Sequence, residues 1–225
     1  NYKKKICAFT SSRADYGLQR NLFIDINKSR NFNFNLIILG THFFPQFGNT
    51  IKEINNDNYD NTFNIKISQN LFLNNNPYVF GKIYQSTIKL LSKIKPHFIL
   101  ILGDRLEILS VVTAAFILKI PIVHISGGEK TIGSLDDIYR HTITKLSNLH
   151  LVSNKIYLDR VLQLGESKKN IFNVGSLATD NISKLKLKSK NYIFNYLNIN
   201  LKKKLFIINY HPTPETVKTN EKKVA

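Results

Sequence analysis

An α/β fold, a doubly wound and largely parallel sheet, is what the order of patterns along this chain predicts. Two uncharged apolar runs, residues 98–102 and 120–125, read as buried parallel strands. The first ends in Gly103-Asp104-Arg105 and the second in Ser126-Gly127-Gly128-Glu129-Lys130. Open α/β sheets place their chemistry at the carboxyl ends of such strands, so the pattern points to an enzyme domain rather than a packing module. Strand and helix patterns also take turns throughout, which favours parallel strands joined by right-handed crossovers.

The elements run in order. Residues 5–10 make a short apolar strand, and 15–28 a helix, because Leu18, Leu22, Phe23 and Ile26 recur at helical spacing. Residues 34–39 form the next strand, the loop 40–48 carries His42 and Pro45, and 49–56 start a short helix. Residues 62–67 alternate as a strand does, and an Asn-rich turn with Pro77 leads into a helix at 78–94. The apolar helix 107–118 lies between the two buried strands. A helix at 134–147, a strand at 149–153, a helix at 154–164 and a strand at 171–174 complete the series. Past Ser176 the texture changes to a lysine-rich helical stretch at 183–198 and one more apolar strand at 205–209, the expected opening of a second sheet. The expected division is a Rossmann-like domain over 1–180, then a linker helix and first strand of another domain over 181–225.

A chain of 225 residues with 43% hydrophobic residues can bury one good core and part of another. The net charge of +17 raises a nucleic-acid reading, but the lysines are spread over helix faces without interleaved aromatics or zinc spacing. A solvated basic surface and no specific nucleic acid are therefore expected. The longest uncharged apolar stretch, 108–118, falls short of the roughly 20 residues a membrane span needs, so no membrane partner and a cytoplasmic address are expected. Methionine is absent, which suggests a translation start upstream of Asn1. The single Cys7 has no internal partner and reads as a small core residue.

Several pieces resemble one family when taken together. They are Thr10-Ser11-Ser12-Arg13-Ala14-Asp15-Tyr16-Gly17, Phe47-Gly48-Asn49-Thr50, Leu102-Gly103-Asp104-Arg105, Gly127-Gly128-Glu129-Lys130-Thr131, Arg140-His141-Thr142-Ile143-Thr144-Lys145, Val174-Gly175-Ser176 and His211-Pro212. In order and spacing they are similar to the hydrolysing UDP-N-acetylglucosamine 2-epimerases, especially the branch serving sialic and legionaminic acid synthesis. The resemblance implies the amino-terminal half of a two-domain, GT-B-like fold whose second domain, largely missing here, holds the uridine and diphosphate. It implies a UDP-sugar substrate, with UDP eliminated across C1 and C2 and the glycal hydrated with inversion at C2, and neither a metal nor a cofactor. A noncatalytic remnant, half of a split enzyme and a glycosyltransferase-like sugar-nucleotide-binding domain are the other readings. A second copy, or a separately encoded carboxyl-terminal half, is the partner those readings leave open.

Removing a C2 proton and returning one to the other face takes at least two positioned acid/base groups. The resemblance assigns catalytic roles to Asp104, Glu129 and Asp136, with the position of Ser126 the alternative place for the second acid. Asp104 could instead cap the following helix with Glu107 or pair with Arg105. Asp136 is expected to pair with Arg140 one helical turn on. Substrate-binding roles fall to Arg13, whose guanidinium suits phosphate, to His42, and to His211 at the end of the last strand. Arg13 could also simply pair with Asp15, itself a candidate N-cap. His97, His124 and His150 are expected to serve packing or local hydrogen bonds.

Overall fold

The computed structural model describes residues 3–73, 77–131, 134–200 and 205–208. The chain divides into two compact units, Asn1–Ile182 and Ser183–Ala225.

In the first unit the strands β1 (Lys4–Thr10), β2 (Phe32–Ile38), β3 (Thr62–Asn64), β4 (Phe98–Leu102), β5 (Ile122–Ile125), β6 (Leu149–Val152) and β7 (Ile171–Asn173) form one sheet. Its order is β3-β2-β1-β4-β5-β6-β7, and every described pairing is parallel. The helices are α1 (Arg13–Lys28), α2 (Ile51–Asn56), α3 (Gln69–Leu73), α4 (Tyr78–Ile94), α5 (Leu106–Ile117), α6 (Asp136–Leu146), α7 (Lys155–Gln163) and α8 (Leu177–Lys184). Chain direction across the sheet reverses between β1 and β4, the switch point at which the carboxyl ends of such sheets open a crevice.

Successive strand residues point to opposite faces, and each face has its own core. Cys7, Phe9, Ile37, Ile99 and Ile101 face a cluster with Ile83 and Leu91 of α4 and Val111 and Val112 of α5. Ile6, Ala8, Leu36, Ile38, Leu100 and Leu102 face the other, with Tyr16 and Phe23 of α1. The near-continuous apolar strands of the sequence are thus covered on both sides. Cys7 is fully buried, as expected, and burial pushes its thiol up to about 12.

Some boundaries differ from the sequence expectation for local reasons. The run 120–125 starts as a strand only at Ile122, because the Ile120 N–H turns back to the Ala115 carbonyl at 3.0 Å and closes α5. Helix α3 lies where only a turn was expected, and its Leu71 and Phe72 pack on the core. The turn from β1 starts α1 two residues early, with Ser12 as the N-cap.

In the second unit, the expected helix over 183–198 breaks after Lys184 and resumes as α9 (Lys190–Tyr196), where the Ser189 hydroxyl caps by accepting from the Tyr192 N–H at 3.2 Å. Of the strand expected at 205–209, the described residues 205–208 lie in no strand. Residues 209–225 lie outside the described residues.

Candidate active site

Strand β4 delivers Gly103 and Asp104 to the switch point. Gly103 turns the chain at φ 99°, a conformation open to glycine. The N-cap of α5 is Arg105, with no side-chain cap bond, so the capping box read between Asp104 and Glu107 does not form. Asp104 instead accepts from Arg140 Nη2 of α6. Glu107 is buried and pairs with Arg105 at 3.7 Å, and burial raises its carboxyl pKa.

A cleft of about 290 Å³ opens there, lined by Ser12, Asp104, Arg105, Glu129, Asp136 and Arg140 among others. Three expected acids therefore meet in one place, carried by the ends of β4 and β5 and the start of α6. Glu129 accepts from the Ser153 hydroxyl at 3.1 Å. Ser126, also on the lining, holds φ 63°, a left-handed conformation that costs a non-glycine residue about 1 kcal/mol or more. The Asp136 pairing is corrected: Arg140 reaches Asp137, at 3.3 Å, rather than Asp136. Two acids thus hold Arg140 from different sides and leave Asp136 to the cleft. Arg140 is only 5% exposed, and its buried Nε has no hydrogen-bond partner among the described residues.

Arg13 points into a neighbouring recess of about 370 Å³, which shares Ser12, Ala14 and Arg105 with the first. It lies 3.8 Å from Glu53 and does not pair with Asp15. Asp15 is the third residue of α1, not its cap, and closes a capping box with Ser12. Its Oδ2 accepts from the Ser11 and Ser12 N–H groups at 2.9 and 3.0 Å. A built-in carboxylate thus fills the anion position at the start of α1, where a glycine-rich turn would receive phosphate. Burial raises the pKa of Asp15, against the pull of hydrogen bonds from Thr10 and Ser11.

His42, expected to contact substrate, is not on the lining of either recess. It is fully buried, with Nε2 2.9 Å from Thr10 Oγ1 and Nδ1 2.7 Å from Thr50 Oγ1, and burial lowers its pKa to about 4. Its position after β2 was visible in the sequence; the threonines that occupy both ring nitrogens were not. His211 lies outside the described residues. His97, His124 and His150 make local hydrogen bonds, as expected. Arg105 and Arg140 are the residues sequence reasoning undervalued, although both stand inside the matched motifs. Among the described residues no cluster of His, Cys, Asp and Glu could hold a metal, and no helix is long and apolar enough to cross a membrane.

Fold and site together define a Rossmann-like α/β domain with a carboxylate-lined cleft at its switch point. The chain belongs to the UDP-N-acetylglucosamine 2-epimerase family, whose profile matches residues 24–225. It is 37% identical to the GDP/UDP-N,N'-diacetylbacillosamine 2-epimerase (hydrolyzing) of Campylobacter jejuni, over 99% of this chain and 58% of that protein. Identity to the polysialic acid biosynthesis protein P7 of Escherichia coli is also 37%, over 96% and 55%. The UDP-N,N'-diacetylbacillosamine 2-epimerase (hydrolyzing) of Legionella pneumophila is 31% identical, over 95% and 57%. The chain spans about half the length of the curated relatives it matches. The crystal structure of UDP-GlcNAc 2-epimerase from Neisseria meningitidis bound to UDP-GlcNAc superposes with a TM-score of 0.71 at 17% identity, over 86% of this chain and 53% of that one. At that identity the likeness establishes the fold alone, and it is the fold the sequence predicted.

Proposed function

We propose that this chain supplies the acid/base half of a hydrolysing UDP-sugar 2-epimerase. The observation that carries the reading is the meeting of Asp104, Glu129 and Asp136 in one cleft with Arg105 and Arg140. In the proposed reaction one carboxylate takes the C2 proton, the C1–O bond to UDP breaks with its electron pair leaving on UDP, and a C1–C2 double bond forms. A second, protonated acid then gives its proton to the opposite face of C2, water adds its hydroxyl to C1, and the proton that water loses returns to that carboxylate. Carboxylates on different elements suit the two faces of one sugar. Arg105 on the cleft wall offers positive charge to the departing diphosphate, and Arg140 adds its charge from behind Asp104. Arg13, beside the shared wall, is placed to reach another part of the nucleotide.

Two relatives bear names that specify diacetylated bacillosamine, which favours a diacetamido UDP-sugar over UDP-N-acetylglucosamine; a cytoplasmic pathway to a sialic or legionaminic acid is the setting the motif resemblance implies. The resemblance puts uridine binding in the part of the relatives beyond the aligned half. Turnover by this chain alone is therefore expected to stay well below about 1 per second, since positioning is lost. It should rise when the carboxyl-terminal half of the Campylobacter jejuni protein is added. Incubation of both UDP-sugars in D₂O tests this by UDP release and deuterium at C2. No release and no deuterium, with or without the added half, would overturn the reading.

A further inference from the structure

Behind Asp104 lies a ring of contacts whose inner members the proposed chemistry does not use. His124 of β5 is fully buried, with Nε2 3.0 Å from the Gly103 carbonyl. A carbonyl only accepts, so Nε2 carries the hydrogen and Nδ1 presents a lone pair. That lone pair stands 3.2 Å from Thr144 Oγ1, whose single hydrogen goes either to it or to the Arg140 carbonyl 2.9 Å away. Arg140 donates to Asp104, the residue bonded to Gly103, so the contacts return to where they began. It ties β5, α6 and the turn after β4 through two buried side chains.

The loop that carries Glu129 leans on the same ring. A Cβ at Gly127 would stand 3.2 Å from His124 Nδ1 and 3.3 Å from Thr144 Oγ1, so the bare backbone packs against both. Any shift of His124 or Thr144 moves the seats of two cleft acids together.

We propose that His124 and Thr144 are positioning residues, which fix Asp104 against Arg140 and seat the Glu129 loop without touching the sugar. The proposal rests on the acid/base reading of the cleft for its consequence in turnover, and on the ring alone for its structural consequence. Burial lowers the His124 pKa to about 3, so the ring keeps one neutral tautomer at ordinary pH.

The experiment compares His124→Leu, His124→Gln, Thr144→Val and the Leu/Val double variant, each in the full chain. Glutamine restores an N–H near the Nε2 position, and valine matches threonine in shape without its hydroxyl. The readouts are the Asp104 carboxyl ¹³C and Arg140 guanidinium ¹⁵N resonances, and turnover of the UDP-sugar with the carboxyl-terminal half supplied as above. Both resonances are expected to move in His124→Leu and Thr144→Val and to return toward the parent in His124→Gln. Turnover number should fall about 10-fold to 100-fold with KM nearly unchanged, as for a displacement near 1 Å. The double variant should lose no more than the worse single, as members of one circuit do. Should His124→Leu fail to fold, the isosteric Thr144→Val carries the test. Unchanged resonances in Thr144→Val, or fully additive losses, would overturn the proposal. Moving resonances in a parent that releases no UDP would uphold the ring and sink only the reading of the reaction.

Discussion

Arg140 and Asp104 stand 36 residues apart and share a charge-assisted hydrogen bond, Nη2 to Oδ2, that joins α6 to the turn after β4. The guanidinium is almost fully buried, and Asp137 holds it from the other side at 3.3 Å. Removing the cation leaves two acids facing each other, whereas removing one acid leaves the cation paired. Arg140→Met is therefore expected to destabilise the fold by about 3 kcal/mol, and Asp104→Asn by about 1 kcal/mol. Urea titration of both variants checks the order. Both should also lower UDP release, by at least about 100-fold if Asp104 acts in proton transfer.

Much of this arrangement was legible in the sequence because strand ends are. The runs before Gly103 and Ser126 are apolar on both faces, and only a parallel sheet covered on both faces uses such strands. Their exits therefore had to meet at one rim, and Asp104 and Glu129 do. Which acid pairs with which base was not legible. Asp136 and Asp137 both sit within reach of Arg140 by spacing, and the choice falls to Asp137 because Arg140 must also reach Asp104, a contact across the fold. The burial of His42 was not legible either, since its partner Thr10 stands 32 residues away.

The two glycine turns at the cleft should respond differently to the same substitution. Gly128 holds φ 77°, and a Cβ there would stand 2.5 Å from the Tyr157 carbonyl oxygen and 2.9 Å from Val161 Cγ2. Its own carbonyl also accepts from Arg160 at 2.5 Å. Gly103 holds φ 99° with nothing within 4 Å of a new Cβ. Gly103→Ala therefore suffers backbone strain alone, about 1 kcal/mol, while Gly128→Ala adds a backbone collision and should cost about 3 kcal/mol. Thermal midpoints of the two variants decide it, and equal losses would contradict the packing around Gly128.

Cys7 is a built-in reporter of opening. It is the chain's single cysteine, fully buried on β1, and burial pushes its thiol up to about 12. Reaction with an aromatic disulfide reagent needs the exposed thiolate, so labelling should be slow in the folded chain and should track unfolding of the central sheet. Labelling rate measured against urea should rise with the unfolded fraction. Fast labelling without denaturant would show that β1 opens locally.

Acid should weaken this fold well above the usual carboxylate range, because His42, His124 and His150 are fully buried and burial lowers the pKa of each. Burial lowers His42 to about 4 and His124 to about 3, from an ordinary 6.5. As pH falls below 6.5 the unfolded chain takes up protons at both sites while the folded chain does not, so the unfolded state gains. The stability these groups contribute is therefore present above pH 6.5 and is lost as pH falls toward about 4. For His42 alone the loss is on the order of 3 kcal/mol. Asp15 and Glu107 act with the opposite sign, since burial raises both carboxyl pKa values and the folded state then holds protons that the unfolded state releases. Comparison with His42→Gln separates the terms, because the carboxyls are common to both chains. Urea midpoints measured from pH 7.5 to pH 4.5 should fall less steeply in the variant than in the parent. Parallel slopes would show that His42 takes up its proton in the folded state as readily as in the unfolded one.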